Sequence, residues 1–74
     1  MEVKVGDKYV LHSKNGMNYY ISIVSVSEYR CPEEHYGAYI CDENGMYDKD
    51  IFFFDDNFLT MCKKINWKEF KCQV

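Results

Sequence analysis

A small all-β domain, either a barrel or a five- to six-stranded β-meander, is predicted by two observations. The tripeptide Asn-Gly-Met occurs twice in 74 residues, at Asn15-Gly16-Met17 and Asn44-Gly45-Met46. Each copy lies between runs of β-branched and aromatic residues that alternate with polar ones, the period of a half-buried strand. Asn and Gly tolerate positive φ, so each copy is expected to form a two-residue type I′ hairpin turn.

Val3 and Val5 alternate with charged residues and lead to the turn signal Gly6-Asp7. Lys8–Lys14 is predicted as the first full strand, and the Asn15-Gly16 turn reverses the chain into Asn18–Glu28. There Tyr19, Ile21 and Ile23 share one face before the apolar register passes to Val24 and Val26. A period-2 pattern that changes face within a strand predicts a bulge or sharp bend. Tyr29–Gly37, with the only proline, is expected to be the longest loop, and Ala38–Asp42 and Met46–Phe54 a second hairpin about Asn44-Gly45. Asp55-Asp56-Asn57 stops the last strand. At most a short helical turn is expected near residues 55–59, then a strand through about Lys64 and a final strand or tail from Trp67, with a helix over Asn57–Ile65 as the alternative.

Short strands, one long loop and a helical turn before the last strands resemble the small SH3-like barrels. The opening Val5-Gly6-Asp7-Lys8-Tyr9 is similar to the first strand and turn of KOW-type domains. The resemblance implies architecture and no residue roles, because small barrels bind proteins, nucleic acids and peptides alike. The core is expected to contain Tyr9, Leu11, Ile21, Ile23, Val24, Val26, Ile40, Phe52, Phe54 and Leu59. In Ile51-Phe52-Phe53-Phe54, alternate side chains face opposite ways, so Phe53 is expected to point outward if Phe52 and Phe54 point in.

A single domain of this length buries little surface, and its 13 aromatic residues supply much of what there is to bury. Homo-oligomerisation is another way to cover apolar surface. No stretch is long and apolar enough to span a bilayer, and Glu2, Lys4 and Asp7 follow Met1 in place of an apolar leader, so a cytoplasmic protein is expected. Cys31, Cys41, Cys62 and Cys72 are accordingly expected to be free thiols. Lys, Asn, Ile, Tyr and Phe make up 30 of the 74 residues. Their codons are AT-rich, which suggests a bacterial host or its phages and mobile elements.

The net charge of −3 is unevenly spread. Glu28 to Asp56 holds nine acidic residues against Arg30 and Lys49, a net of −7, whereas the chain from Asn57 onward carries +3. An acidic centre repels phosphates, which excludes a direct nucleic-acid binder. Cys31 and His35, with Cys41 and Cys62 or Cys72, offer mixed zinc ligands, but the paired Cys knuckles of a structural site are missing, so no metal or cofactor is expected. Cys31 with His35 or His12 lacks the material for a catalytic cleft in so short a chain, and no enzyme is expected. Asp42-Glu43-Asn44-Gly45 has the wrong spacing for a calcium loop.

These readings converge on a non-enzymatic protein-binding module whose acidic, aromatic-rich face docks on a basic partner. The expected contact residues are Glu33, Glu34, Tyr36, Asp42, Glu43, Tyr47, Asp48, Asp50 and Phe53, with the carboxylates steering encounter and the aromatics anchoring it. In size and acidity the chain is similar to anti-CRISPR and other anti-defence proteins. That likeness implies a phage-encoded inhibitor of a basic, nucleic-acid-handling defence protein. Membrane partners are not expected. The alternatives are an oligomeric binder of a small ligand such as a nucleotide signal, and a structural accessory domain with a Cys/His metal site.

Overall fold

The computed structural model describes residues 3–27, 34–46 and 50–70. Five antiparallel strands form one sheet, β1 (Lys8–His12), β2 (Asn18–Val26), β3 (Tyr36–Asp42), β4 (Phe52–Phe54) and β5 (Lys63–Ile65), with helix α1 (Asp56–Thr60) between the last two. Their order across the sheet is β4-β3-β2-β1-β5. The fifth strand therefore returns beside the first, and the chain is a small all-β domain built on one antiparallel sheet. β4 and β5 stand at the two edges, so hydrogen bonding among the described residues does not close the sheet.

Both Asn-Gly-Met copies turn hairpins, but in a form other than type I′. Gly16 N–H donates to Ser13 O and Ser13 N–H to Met17 O, while Gly45 N–H donates to Asp42 O and Asp42 N–H to Met46 O. Gly16 and Gly45 have φ of +85° and +80°, and no described non-glycine residue has positive φ. Each loop thus has three residues, with only its glycine in the left-handed region. The side chain that opens each turn selects this form by accepting from the following Asn backbone: Asp42 Oδ1 from Asn44 N–H at 2.9 Å, and Ser13 Oγ from Asn15 N–H at 3.4 Å. Such a side-chain bond mimics a turn and keeps Asn at ordinary φ.

The predicted bend in β2 is a bulge. Ile23 pairs with Ala38 but Ser25 pairs with Gly37, which leaves Val24 as the extra residue. Before the bulge Ile21 and Ile23 face inward, and after it Val26, opposite Tyr36, packs on the same side. The inner core comprises Tyr9, Ile21, Ile23, Tyr36, Ala38, Phe54 and Leu59. Helix α1 delivers Leu59, 1% exposed, to that core. Its start is fixed by Asp55, whose carboxylate accepts from Phe58 N–H at 3.1 Å. A cap of this kind contributes roughly 0.5–2 kcal/mol. Tyr9 Oη is the one buried side-chain polar atom without a partner among the described residues.

The opposite face carries a second cluster of Val10, Tyr20, Cys41 and Ile65, against which Phe70 packs. The Tyr20 and Phe70 rings meet edge to face at 6.1 Å, and Lys8 Nζ lies 4.8 Å from the Phe70 centroid while bonding to Ser22 Oγ. The C-terminal segment thus lids part of the sheet through Phe70, whereas Trp67 is 74% exposed.

Several expectations are corrected by this two-faced arrangement. Val10, Tyr20, Tyr36, Ala38, Cys41 and Ile65 are buried, and Leu11, Val24, Val26 and Ile40 are only partly so. Phe52 is 44% exposed, because β4 is an edge strand and nothing described beyond it covers that ring. β3 begins at Tyr36, inside the expected loop, and Met46 lies outside any strand. Cys41 is disulfide-bonded and Cys62 is free; Cys31 and Cys72 lie outside the described residues. The expectation of free thiols therefore fails at Cys41. It rested on cellular compartment, which carries no information about which side chains meet in the fold.

At Gly16 and Gly45 a Cβ would meet nothing within 4 Å, so substitution there costs backbone strain alone. Gly16→Val and Gly45→Val are each expected to lose more than about 1 kcal/mol in urea denaturation, and unchanged midpoints would refute the left-handed assignment. Phe54→Ala is expected to cost ~3–5 kcal/mol, as for a fully buried aromatic, and Phe52→Ala markedly less. Equal losses at the two positions would show that the exposure of Phe52 is misassigned.

Candidate functional site

Of the expected contact residues, Tyr36 and Asp42 lie on β3 and Glu34 and Glu43 next to its two ends, and the length of the strand divides them. Tyr36 to Asp42 spans six steps of about 3.3 Å, so the two ends lie roughly 20 Å apart. Asp42 and Glu43 stand at one end. Glu34 precedes the other, where Tyr36 pairs with Phe54 and where Asp55 and Asp56 follow. Among the described residues, Glu34 and the Asp42-Glu43 pair are therefore well separated.

Several carboxylates also have structural tasks. Asp42 Oδ1 accepts from Asn44 and Met46 N–H within its turn, and Glu43 Oε1 accepts from Asn18 N–H at 2.7 Å across the neighbouring strand. Asp55 caps α1, and Asp56 accepts from Tyr36 Oη. Glu34 and Asp50 are exposed. Glu33, Tyr47 and Asp48 lie outside the described residues.

Tyr36 is corrected outright as a contact residue. It is 4% exposed, packed against Phe54 with ring centroids 5.8 Å apart and stacked on His35 at 4.5 Å. Its hydroxyl finds Asp56 at the helix start, which lets a tyrosine occupy a core position that the sequence pattern suggested for a surface anchor.

Val5, Met46, Met61 and Trp67 are exposed elsewhere on the described surface, and three further exposed apolar residues are consecutive at the edge strand. Ile51, Phe52 and Phe53 are 39%, 44% and 39% exposed. Phe52 lies on the inner side, where it stacks with Phe54 at 5.8 Å and meets Phe58 at 5.4 Å. Phe53, opposite Gly37, lies on the outer side. A Cβ at Gly37 would come within 3.1 Å of both the Ile51 and the Phe53 side chain, so glycine is what allows this pair to lie against the sheet. No Lys or Arg occurs from Asp50 to Cys62, whereas Asp50, Asp55 and Asp56 flank the strand. The edge is thus an apolar ridge bounded by carboxylates. Alternation along the sequence pairs Ile51 with Phe53 on the outer side, as observed, but places Phe52 in the core, and its exposure depends on strand order.

Two surface depressions lie on the described residues. One of about 370 Å³ is lined by Val10, His12, Tyr20, Lys63, Ile65 and Glu69. The other, of about 210 Å³, is lined by Tyr19, Ile40, Cys41, Asp42 and Met46. Among the described residues no three His, Cys, Asp or Glu side chains gather to hold a metal. A sulfur held in a disulfide is no thiolate ligand, which removes Cys41 from the mixed zinc set. The Cys62 thiol is half-buried, and burial pushes it up to about 11, so it is a poor nucleophile at neutral pH.

No protein-family model, curated protein or solved structure matches the chain.

Burial, the hydrogen bond to Asp56 and the charges of Asp56 and Tyr9 push Tyr36 up to about 12, from an ordinary 10.0. Tyr36 and Cys62 both hold their protons more tightly folded than unfolded. As pH rises, the unfolded chain releases them first, so stability falls between the two values. The decline is expected from about pH 9 to 11 for Cys62 and from about pH 10 to 12 for Tyr36, with neither group contributing below. Urea denaturation across pH 8 to 12 checks this: Cys62→Ala should flatten the lower part of the decline and Tyr36→Phe the upper. Identical profiles for wild type and both variants would refute the assignment.

Proposed function

We propose that the domain is a non-enzymatic protein-binding module that docks on a basic partner through edge strand β4. The observation that carries this reading is the exposed Ile51-Phe52-Phe53 ridge between Asp50 and the Asp55-Asp56 pair. Apolar side chains rimmed by charge suit a desolvated contact with a polar border. The carboxylates would match Lys and Arg on the partner and speed encounter, while the aromatics would set its lifetime. The partner class is a basic protein that handles nucleic acid, and the biological setting an anti-defence inhibitor carried by a phage or mobile element. No described helix is long and apolar enough to cross a membrane. We place the domain in the bacterial cytoplasm as part of the same proposal. The Cys41 disulfide runs against that placement, because the cytosol keeps thiols reduced.

Immobilised domain, exposed to bacterial lysate at low and high salt, is expected to retain a basic protein. Neutralising Glu34 and Asp50 together should slow association and flatten its dependence on salt. Phe52→Ser or Phe53→Ser should instead speed dissociation. Binding that survives all of these substitutions, or direct DNA binding at physiological salt, would overturn the proposal.

A further inference from the structure

The outer face beside β5 holds polar groups that neither the fold nor the proposed docking surface uses. The register of β1 sets them side by side. Val10 pairs with Tyr20 on β2 and with Lys63 on β5, so these three side chains form one row across the outer face. His12 follows two residues along on the same face, opposite Asn18, whose Oδ1 meets its Nδ1 at 2.6 Å. Ile65, two residues beyond Lys63, adds to the apolar floor, and the turn after β5 brings up Glu69, whose N–H donates to Asn66 Oδ1 at 3.1 Å. Together these residues line the depression of about 370 Å³.

Its polar atoms are uncommitted. On neighbouring positions Lys8 donates to Ser22 Oγ and Lys64 pairs with Asp7 at 3.4 Å. Among the described residues Lys63 Nζ and the Glu69 carboxylate have no such partner, and they are too far apart to pair with each other. Tyr20 is only 6% exposed, yet its hydroxyl is likewise without a hydrogen bond among the described residues. It is not one of the buried unpartnered atoms, so it opens to solvent at the end of a buried ring. A hydroxyl on so buried a ring normally finds a partner.

We propose that this depression binds a free α-amino acid with an apolar side chain. Lys63 and the Tyr20 hydroxyl would hold its carboxylate and Glu69 its ammonium, while Val10 and Ile65 would receive its side chain. Small-ligand sites of roughly 300–1,000 Å³ combine an apolar lining with a few polar groups, and this depression lies at the small end of that range. A cation and an anion on one rim select a ligand that carries both charges. A simple anion would meet Glu69, and a simple cation Lys63, as a like charge. The site lies toward β5, at the edge of the sheet opposite β4, and does not depend on the docking role.

The test titrates the intact domain with L-leucine and, separately, L-phenylalanine, followed by amide NMR. N-acetyl-L-leucine lacks the ammonium and L-leucinamide the carboxylate. At least one of the two amino acids is expected to shift the amides of Val10, His12, Tyr20 and Ile65 saturably, and the two derivatives of leucine to bind roughly tenfold more weakly than leucine or worse. Glu69→Gln should abolish the preference for leucine over its N-acetyl form, and Lys63→Met the preference over its amide. Tyr20→Phe should weaken binding with the rest of the amide spectrum unchanged. No saturable shift with either amino acid would overturn the proposal. So would equal binding of leucine and its two derivatives, which would reveal apolar contact alone. Glu69→Gln and Lys63→Met are expected to leave retention of a basic protein from lysate unchanged, so the failure of this site and that of the docking surface are read separately.

Discussion

The one-residue bulge at Val24 is the constraint on which the rest of the structure depends. β2 is the longest strand and is bonded to β1 on one side and β3 on the other. Side chains alternate with a strict period of two, so an added residue reverses which of them face inward from that point on. Without it, the alternation of Ile21 and Ile23 would continue to Ser25 and turn Val26 to the outer face. With it, Val26 joins Tyr36 and Phe54 on the inner side. The inner side of β2 thereby stays matched to that of β3, whose Tyr36 and Ala38 pair with Phe54 and Phe52 of β4.

The consequence is a sheet with work to do on both faces. The inner face is closed by Leu59 from α1 and by the ring cluster of Phe54 and Phe58, whose centroids are 4.9 Å apart. The outer face is closed in part by Phe70, with Lys8 stretched between Phe70 and Ser22. A 74-residue chain has little apolar area to divide between two clusters, and small domains often supplement such cores with covalent links. The disulfide at Cys41, within the outer cluster of four buried residues, is consistent with that need. Acidic side chains are drawn into the same economy: Asp42, Asp55 and Asp56 each hold a turn, a helix start or a buried hydroxyl. Their charges remain on the surface, but their positions are set by folding.

What stays unburied is therefore informative. Ile51, Phe52 and Phe53 are large apolar residues that a protein short of core leaves on an edge, in a stretch without a single cation from Asp50 to Cys62. Flanking aspartates and the shortness of β4 protect such an edge from pairing with its own kind, while leaving it suited to a partner of opposite charge. The proposed function uses that asymmetry.

The sequence by itself determined the local events, because each is written in a few consecutive residues. The two Asn-Gly-Met hairpins, the bend at Val24 and the short helix behind Asp55 were legible as turn chemistry, a switch of period and a cap. Even there, Ser13 and Asp42 were the unread signals that lengthened each loop to three residues. Tertiary structure decided what depends on neighbours distant in the chain. Tyr20, Cys41 and Ile65 are buried because Phe70 comes to cover them, and Tyr36 is buried because Asp56, twenty residues later, receives its hydroxyl. Phe52 is exposed although its pattern matches that of Phe54, since β4 took an edge of the sheet and no local period encodes strand order. The acidic run likewise read as one face in sequence, but its described members Glu34 and Glu43 stand beyond opposite ends of β3, because charge counted along a chain carries no information about the distance between its parts.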